Sequence, residues 1–276
     1  MNLMKILVER SKNAIQENEG DYIGEDGLLM CGNCHTPKQC EIEIDGESYF
    51  PRCLCKCGVE ARKQEEEEEK RVEFENRVQR YRKMGFPESK MQNWTFENDD
   101  GANPKYTEIA KRYVANFGKF YKEGKALLLH GTVGTGKTYI ACMIANALID
   151  KGYPVLVTNF SRILNTLSGT FDKQEYLDSL NKFKLLVIDD LGTERDTGYA
   201  KEQVYSIIDS RYRAELPMII TTNLTMQELV TETDISYKRV YDRILERCYP
   251  VEVIGENRRI NKLINSSDEM KDILGI

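Results

Sequence analysis

Residues 131–138, GTVGTGKT, follow the apolar run ALLLH (126–130) and precede YIACMIANAL, which has the periodicity of a helix. A glycine-rich turn in that setting aims its backbone N–H groups at a phosphate. The lysine after its last glycine reaches the β and γ oxygens, and the next hydroxyl ligates magnesium. Gly131, Gly134, Thr135, Gly136, Lys137 and Thr138 are therefore candidates to cradle a nucleoside triphosphate with Mg2+. Further on, KLLVIDDLG ends an apolar run in two carboxylates. Asp189 is the candidate partner of the magnesium ion, and Asp190 the candidate to orient or deprotonate an attacking water. PMIITTNL ends in Thr222 and Asn223, and Asn223 is a candidate to hold that water or the γ-phosphate. His130 reads as a strand end, not as an acid or base.

A second chemistry lies near the N-terminus. All eight cysteines but Cys142 and Cys248 lie between Cys31 and Cys57, in MCGNCHTPKQC and PRCLCKCG. Two such knuckles can supply four thiolates to a tetrahedral Zn2+. Cys31 and Cys34 form the first pair, and the second comes from Cys53, Cys55 and Cys57, with Cys40 and His35 as substitutes. The insert EIEIDGESYF alternates around Asp45-Gly46, which predicts a hairpin carrying the knuckles at its ends. Cys142 and Cys248 fall on apolar helical faces and read as core.

The elements that must position these residues follow from periodicity. ALLLH, PVLVT (154–158), KLLVID (184–189), PMIITT (217–222) and VEVI (251–254) alternate with amphipathic helices. This predicts an α/β fold with a five-stranded parallel sheet between helices. Three segments are expected: an N-terminal helix and zinc-binding module (1–58), a charged helical connector (59–84) and an ATPase domain (85–276). In the connector, Phe74, Val78 and Tyr81 form a thin apolar stripe. Pro87 ends the helix, and Gly85 is expected to cap it. A net charge of −6 excludes coating nucleic acid through the overall field and leaves only local contact, for which Arg162 is a candidate by location. The opening MNLMKILVERSKNAIQ lacks the apolar run of a signal peptide, and no stretch reaches the length of a membrane span, so a cytoplasmic protein is expected.

SYKRVYDRILERC (236–248) spaces Arg239, Arg243 and Arg247 four apart, opposite a face of Tyr237, Val240, Tyr241, Ile244 and Cys248. The arginines are expected to be displayed.

Together, the glycine-rich loop, VIDDLGTE, RYRAELPMIITTN and RVYDRILERC resemble the bacterial helicase loaders of the DnaC/DnaI type, which are AAA+ ATPases. The insertion-sequence helper ATPases (IstB-like) share much of the pattern. The resemblance spans roughly 85–260. It implies an ATP-dependent protein that engages a replicative DNA helicase and helps place it on single-stranded DNA. By position it makes Lys137 and Thr138 the Walker A residues, Asp189 and Asp190 the Walker B residues, and Asn223 sensor 1. Arg243 falls at the arginine finger, which implies self-association through a composite ATP site. Arg259, with Arg258 as the alternative, falls at sensor 2. AAA+ proteins commonly carry glutamate where Asp190 stands, and the shorter side chain predicts slow turnover. The alternatives are a transposition helper and a nucleotide-dependent adaptor without useful turnover.

Overall fold

The computed structural model describes residues 3–260, 270, 273 and 274. It divides into two units, Met1–Glu75 and Asn76–Ile276.

The N-terminal unit has few apolar residues and correspondingly short elements. These are α1 (Leu3–Ala14), the paired strands β1 (Tyr22–Ile23) and β2 (Leu29–Met30), and the hairpin β3 (Ile42–Ile44) and β4 (Glu47–Tyr49). Asp45 and Gly46 both take positive φ (54° and 78°), the two-residue turn that matches strand twist. The long α2 (Lys56–Gly85) follows, and the division between the units falls inside it. Within the second unit Val78 and Tyr81, two of the three residues of the expected stripe, pack on that unit's core. Gly85 closes α2 without taking a left-handed cap. A Cβ there would lie 2.7 Å from the Val155 carbonyl, so close packing is what requires glycine.

After a 3-10 turn (Ser89–Asn93), the second unit continues with α3 (Pro104–Ala115), α4 (Phe117–Glu123), β5 (Ala126–His130), α5 (Lys137–Asp150), β6 (Val155–Asn159), α6 (Phe160–Gly169) and α7 (Lys173–Leu180). Then come β7 (Leu185–Leu191), α8 (Gly198–Arg213), β8 (Met218–Thr222), α9 (Met226–Val230), α10 (Ile235–Arg247) and β9 (Cys248–Glu252). The five strands form one parallel sheet in the order β6-β7-β8-β5-β9. Alternation sends Leu127, Leu129, Val187 and Ile219 into a core with α3, α4 and α5, and Leu128, Leu186, Ile188 and Ile220 into a second core with α6, α7, α8 and α10. The last strand begins at Cys248, earlier than VEVI suggests. Cys248 is thus buried on a strand, not on the α10 face.

Buried Arg211 knits the edge opposite the site. Its guanidinium donates to the carbonyls of Leu180, Phe183, Lys184 and Pro217, joining α7, β7, α8 and β8. Burial lowers its pKa to about 10.

Candidate active site

With β8 between β7 and β5, the glycine-rich loop, the acidic strand end and the polar end of β8 reach one edge of the sheet. A cleft of about 950 Å³ opens there, lined among others by Lys137, Thr138, Asp190, Asn223, Arg258 and Arg259. The loop passes close beneath the C-terminal segment. Gly134 has φ 84°, and a Cβ on it would lie 2.0 Å from Asn257 Oδ1, so no side chain fits. Arg258 donates its backbone N–H to the Gly134 carbonyl (3.1 Å). Gly136 precedes α5, whose first N–H groups face the cleft, and Thr135 is buried with its hydroxyl on the Thr132 carbonyl.

Lys137 Nζ donates to the loop carbonyls of Gly131 (2.8 Å) and Thr132 (2.7 Å), and burial lowers its pKa. Thr138 donates to Asp189 Oδ1 at 2.8 Å. Thr221, which periodicity alone did not single out, donates to the same oxygen at 2.6 Å and accepts from the Asp190 N–H at 2.9 Å. Burial raises the Asp189 pKa, opposed by the two hydroxyls. A desolvated carboxylate beside the Thr138 hydroxyl is an oxygen donor pair suited to Mg2+ on a triphosphate. Thr222 is fully buried, its hydroxyl on the Leu191 carbonyl, and takes no part in the cleft.

Consecutive strand residues point to opposite faces, yet Asp189 and Asp190 serve one edge. The pairing of β7 with β8 slips between Ile188 and Leu191, so that both aspartates stand opposite Thr221, and Asp190 takes φ 56°. A non-glycine residue held there costs about 1–3 kcal/mol, a strain typical of functional positions. His130 is buried at the end of β5, its carbonyl accepting from Val253, and burial lowers its pKa.

The other end of the cleft comes from residues the motifs did not indicate. Trp94, Asn98, Asp100 and Asn103 line it with Tyr139, whose ring lies 5.7 Å from that of Trp94. Buried Asn146 donates to the Met91 and Trp94 carbonyls and pins this segment to α5. The one signal in the sequence was its single tryptophan, set among turn residues. Arg258 pairs with Asp100 (3.2 Å) across the cleft mouth, and Arg259 lies near enough to Lys137 to oppose its charge.

The arginines of α10 differ from expectation. Arg239 is exposed, but Arg243 and Arg247 are each 24% exposed and lie down against α8. Arg243 pairs with Asp209 (2.7 Å), and Arg247 with Glu215 (3.2 Å). Tyr205 and Tyr212 draw them down, the Arg243 guanidinium lying 4.6 and 5.6 Å from the two ring centres.

In the N-terminal unit, the Sγ atoms of Cys31, Cys34, Cys55 and Cys57 lie within 4.8 Å of one another. Cys53 does not join them. Its N–H pairs with the Lys38 carbonyl in a ladder that faces its sulfur toward the Pro37 carbonyl, while the start of α2 turns Cys57 back toward Cys55. Cys40 is likewise outside the cluster, with its sulfur toward Pro51, and His35 meets Tyr22 instead. The Thr36 hydroxyl pulls the Cys34 thiol down to about 5, whereas contact with its sulfur neighbours pushes Cys57 up to about 12. Crowded thiols that resist joint ionisation call for a shared cation, and four sulfurs fit a metal ion.

Sheet order, glycine-rich loop and paired carboxylates define a P-loop ATPase of the AAA+ class. The model of the IstB-like ATP binding proteins matches residues 62–266, and the chain belongs to that family. It is homologous to replicative helicase loaders. It is 25% identical over 270 residues to the loader DnaI of Bacillus subtilis, covering 92% of this chain and 84% of that one. It is 29% identical over 165 residues to the loader DnaC of Escherichia coli K12, covering 55% of this chain and 63% of that one. The crystal structure of DnaI superposes with a TM-score of 0.52 at 30% identity, over 65% of this chain and 99% of that one. Among the described residues no helix is long and apolar enough to cross a membrane.

Proposed function

We propose that the protein is an ATP-dependent helicase loader that binds a replicative DNA helicase and assists its placement on single-stranded DNA in the cytoplasm. One observation favours this over a transposition helper. The DnaI match covers 92% of the chain, more than Asn76–Ile276 alone supplies, so it extends into the cysteine-bearing unit, whereas the IstB-like match begins at residue 62.

In this reading Lys137, Thr138 and Asp189 hold the triphosphate and Mg2+, whose charge eases departure of ADP from the γ-phosphoryl group. Asp190 takes the proton of the attacking water. Asn223 orients that water, and Arg259 and Arg258 contact phosphate oxygens from the C-terminal side. Arg243 acts on the site of a neighbouring copy, where it offsets charge that develops as the bond breaks. The four clustered cysteines hold Zn2+, and the module they fold engages the partner. Single-stranded DNA meets exposed aromatic residues: Phe171 is fully exposed, and Lys173 lies 4.9 Å over the ring of exposed Tyr199. Aromatic faces beside lysine stack bases and neutralise phosphate without reading sequence, and Arg162 lies on the preceding helix.

The test is co-purification of the full chain with its host's replicative helicase, with and without ATP, alongside phosphate release with and without single-stranded DNA. Nucleotide-dependent helicase binding and DNA-stimulated turnover support the reading. Capture of a transposase instead favours the helper, and ATP binding without turnover favours the adaptor.

A further inference from the structure

Arg243 meets Asp209 by one atom only. Its Nε lies 2.7 Å from Asp209 Oδ1, while the guanidinium carbon sits over Tyr205 and Tyr212. Among the described residues nothing bonds Nη1 or Nη2. A guanidinium with Nε against a carboxylate and its carbon over two rings is restricted in orientation and leaves its outer edge, the part that can grip phosphate bidentately, free. Asp209 is largely buried, its side chain 13% exposed, and its second oxygen makes an ion pair with the exposed Arg213 (Nε at 2.8 Å). One ion pair and two rings thus bear on the direction of one side chain on a surface where arginines usually roam.

We propose that Asp209 is a positioning residue for ATP hydrolysis, holding the back of the Arg243 guanidinium so that its Nη edge is presented to the γ-phosphate bound by a second copy of this chain. This rests on the reading of Arg243 as an arginine finger. A finger oriented before assembly loses less rotamer freedom when the transition state forms, so the contribution falls on kcat and not on ATP binding.

The experiment measures phosphate release by the full chain, saturated with ATP under assembly conditions, for Asp209→Ala, Asp209→Asn, Arg213→Ala, Arg243→Ala and the Asp209→Ala/Arg243→Ala double variant. Asp209→Ala should lower kcat by about ten- to a hundredfold, the scale of a misplaced catalytic group. KM should stay within about twofold, since ground-state binding is untouched. Asp209→Asn keeps an acceptor for Nε and should recover part of the loss. Arg213→Ala should match wild type, and the double variant should be no slower than Arg243→Ala alone. If Arg243→Ala is slow while Asp209→Ala turns over at or above the wild-type rate, the positioning role is overturned and the finger stands. Multiplicative losses in the double variant overturn it as well. If Arg243→Ala itself is unchanged, the finger reading fails and this inference falls with it.

Discussion

The Thr138 hydroxyl and Asp189 Oδ1 are joined by a 2.8 Å hydrogen bond that ties the first turn of α5 to the end of β7. The two residues expected to share a magnesium ion are thus in register before any ligand arrives. Thr221 holds the same oxygen from β8, so three elements agree on the position of one carboxylate. Preorganisation of this kind spares reorganisation during the reaction.

Separate roles for neighbouring groups predict separable defects. Lys137→Ala should weaken ATP binding, read from the fluorescence of Trp94, the single tryptophan, which lines the same cleft. Asp190→Asn should bind ATP nearly as well as wild type and lose about 10²- to 10⁴-fold in turnover, the scale of a missing general base. Turnover by Asp190→Asn at the wild-type rate would move the base to Glu194, on the next loop.

A composite site predicts complementation. Arg243→Ala and Lys137→Ala proteins should each be slow alone, and mixing them should restore activity, because one supplies an intact nucleotide site and the other an intact finger. An effect of about 10³- to 10⁵-fold is the ceiling where chemistry limits turnover. Mixtures no faster than their components would place the arginine's effect within one chain.

The sulfur geometry predicts which thiols matter. Purified protein should carry about one zinc per chain. Cys57→Ser should lose it and Cys53→Ser retain it, although both belong to the same CxCxC run. Elemental analysis decides, and zinc loss from Cys53→Ser would overturn the assignment.

Asp21 should support the same module. Its carboxylate accepts from the N–H groups of Asn18 and Gly32 and from Lys38, which is buried. These bonds, Asn18 foremost, lower its pKa from 3.8 to about 2. A lowered folded-state value means that its contribution is complete above pH 4 and is lost only as pH falls through about 2. Asp21→Asn should therefore speed metal release to a chelator at neutral pH. Release from wild-type protein near pH 5 would report protonation of the thiols, not of Asp21.

Arg211→Met should cost about 3–5 kcal/mol in urea unfolding followed at Trp94, the scale for breaking a buried charged network, because four carbonyls lose their donor. A loss below about 1 kcal/mol, no more than one ordinary hydrogen bond, would mean that water takes the donor's place.

Much of this molecule was legible in order and spacing. Strands β5 to β8 fall within a residue or two of their apolar runs, because a strand buried on both faces reads as a continuous apolar stretch that polar residues interrupt only near its end. Gly131 to Thr138 read as a phosphate loop because backbone conformation there admits few residue types. Asp45-Gly46 marked its turn for the same reason.

Contacts between distant segments were not legible, since nothing local encodes them. The order that sets β8 between β7 and β5, and so brings Thr221 to both aspartates, is a matter of packing. Alternation along β7 would send Asp189 and Asp190 to opposite faces, and only the slipped pairing against β8 brings both to one edge. Among Cys53, Cys55 and Cys57 spacing was indifferent, and the start of α2 made the choice. Helical periodicity correctly placed Arg243 opposite the apolar stripe of α10, but a helix read alone has no neighbours. That α8 offers Asp209, Tyr205 and Tyr212 to hold the arginine is a fact of the folded chain, set by how two helices pack over the same face of the sheet.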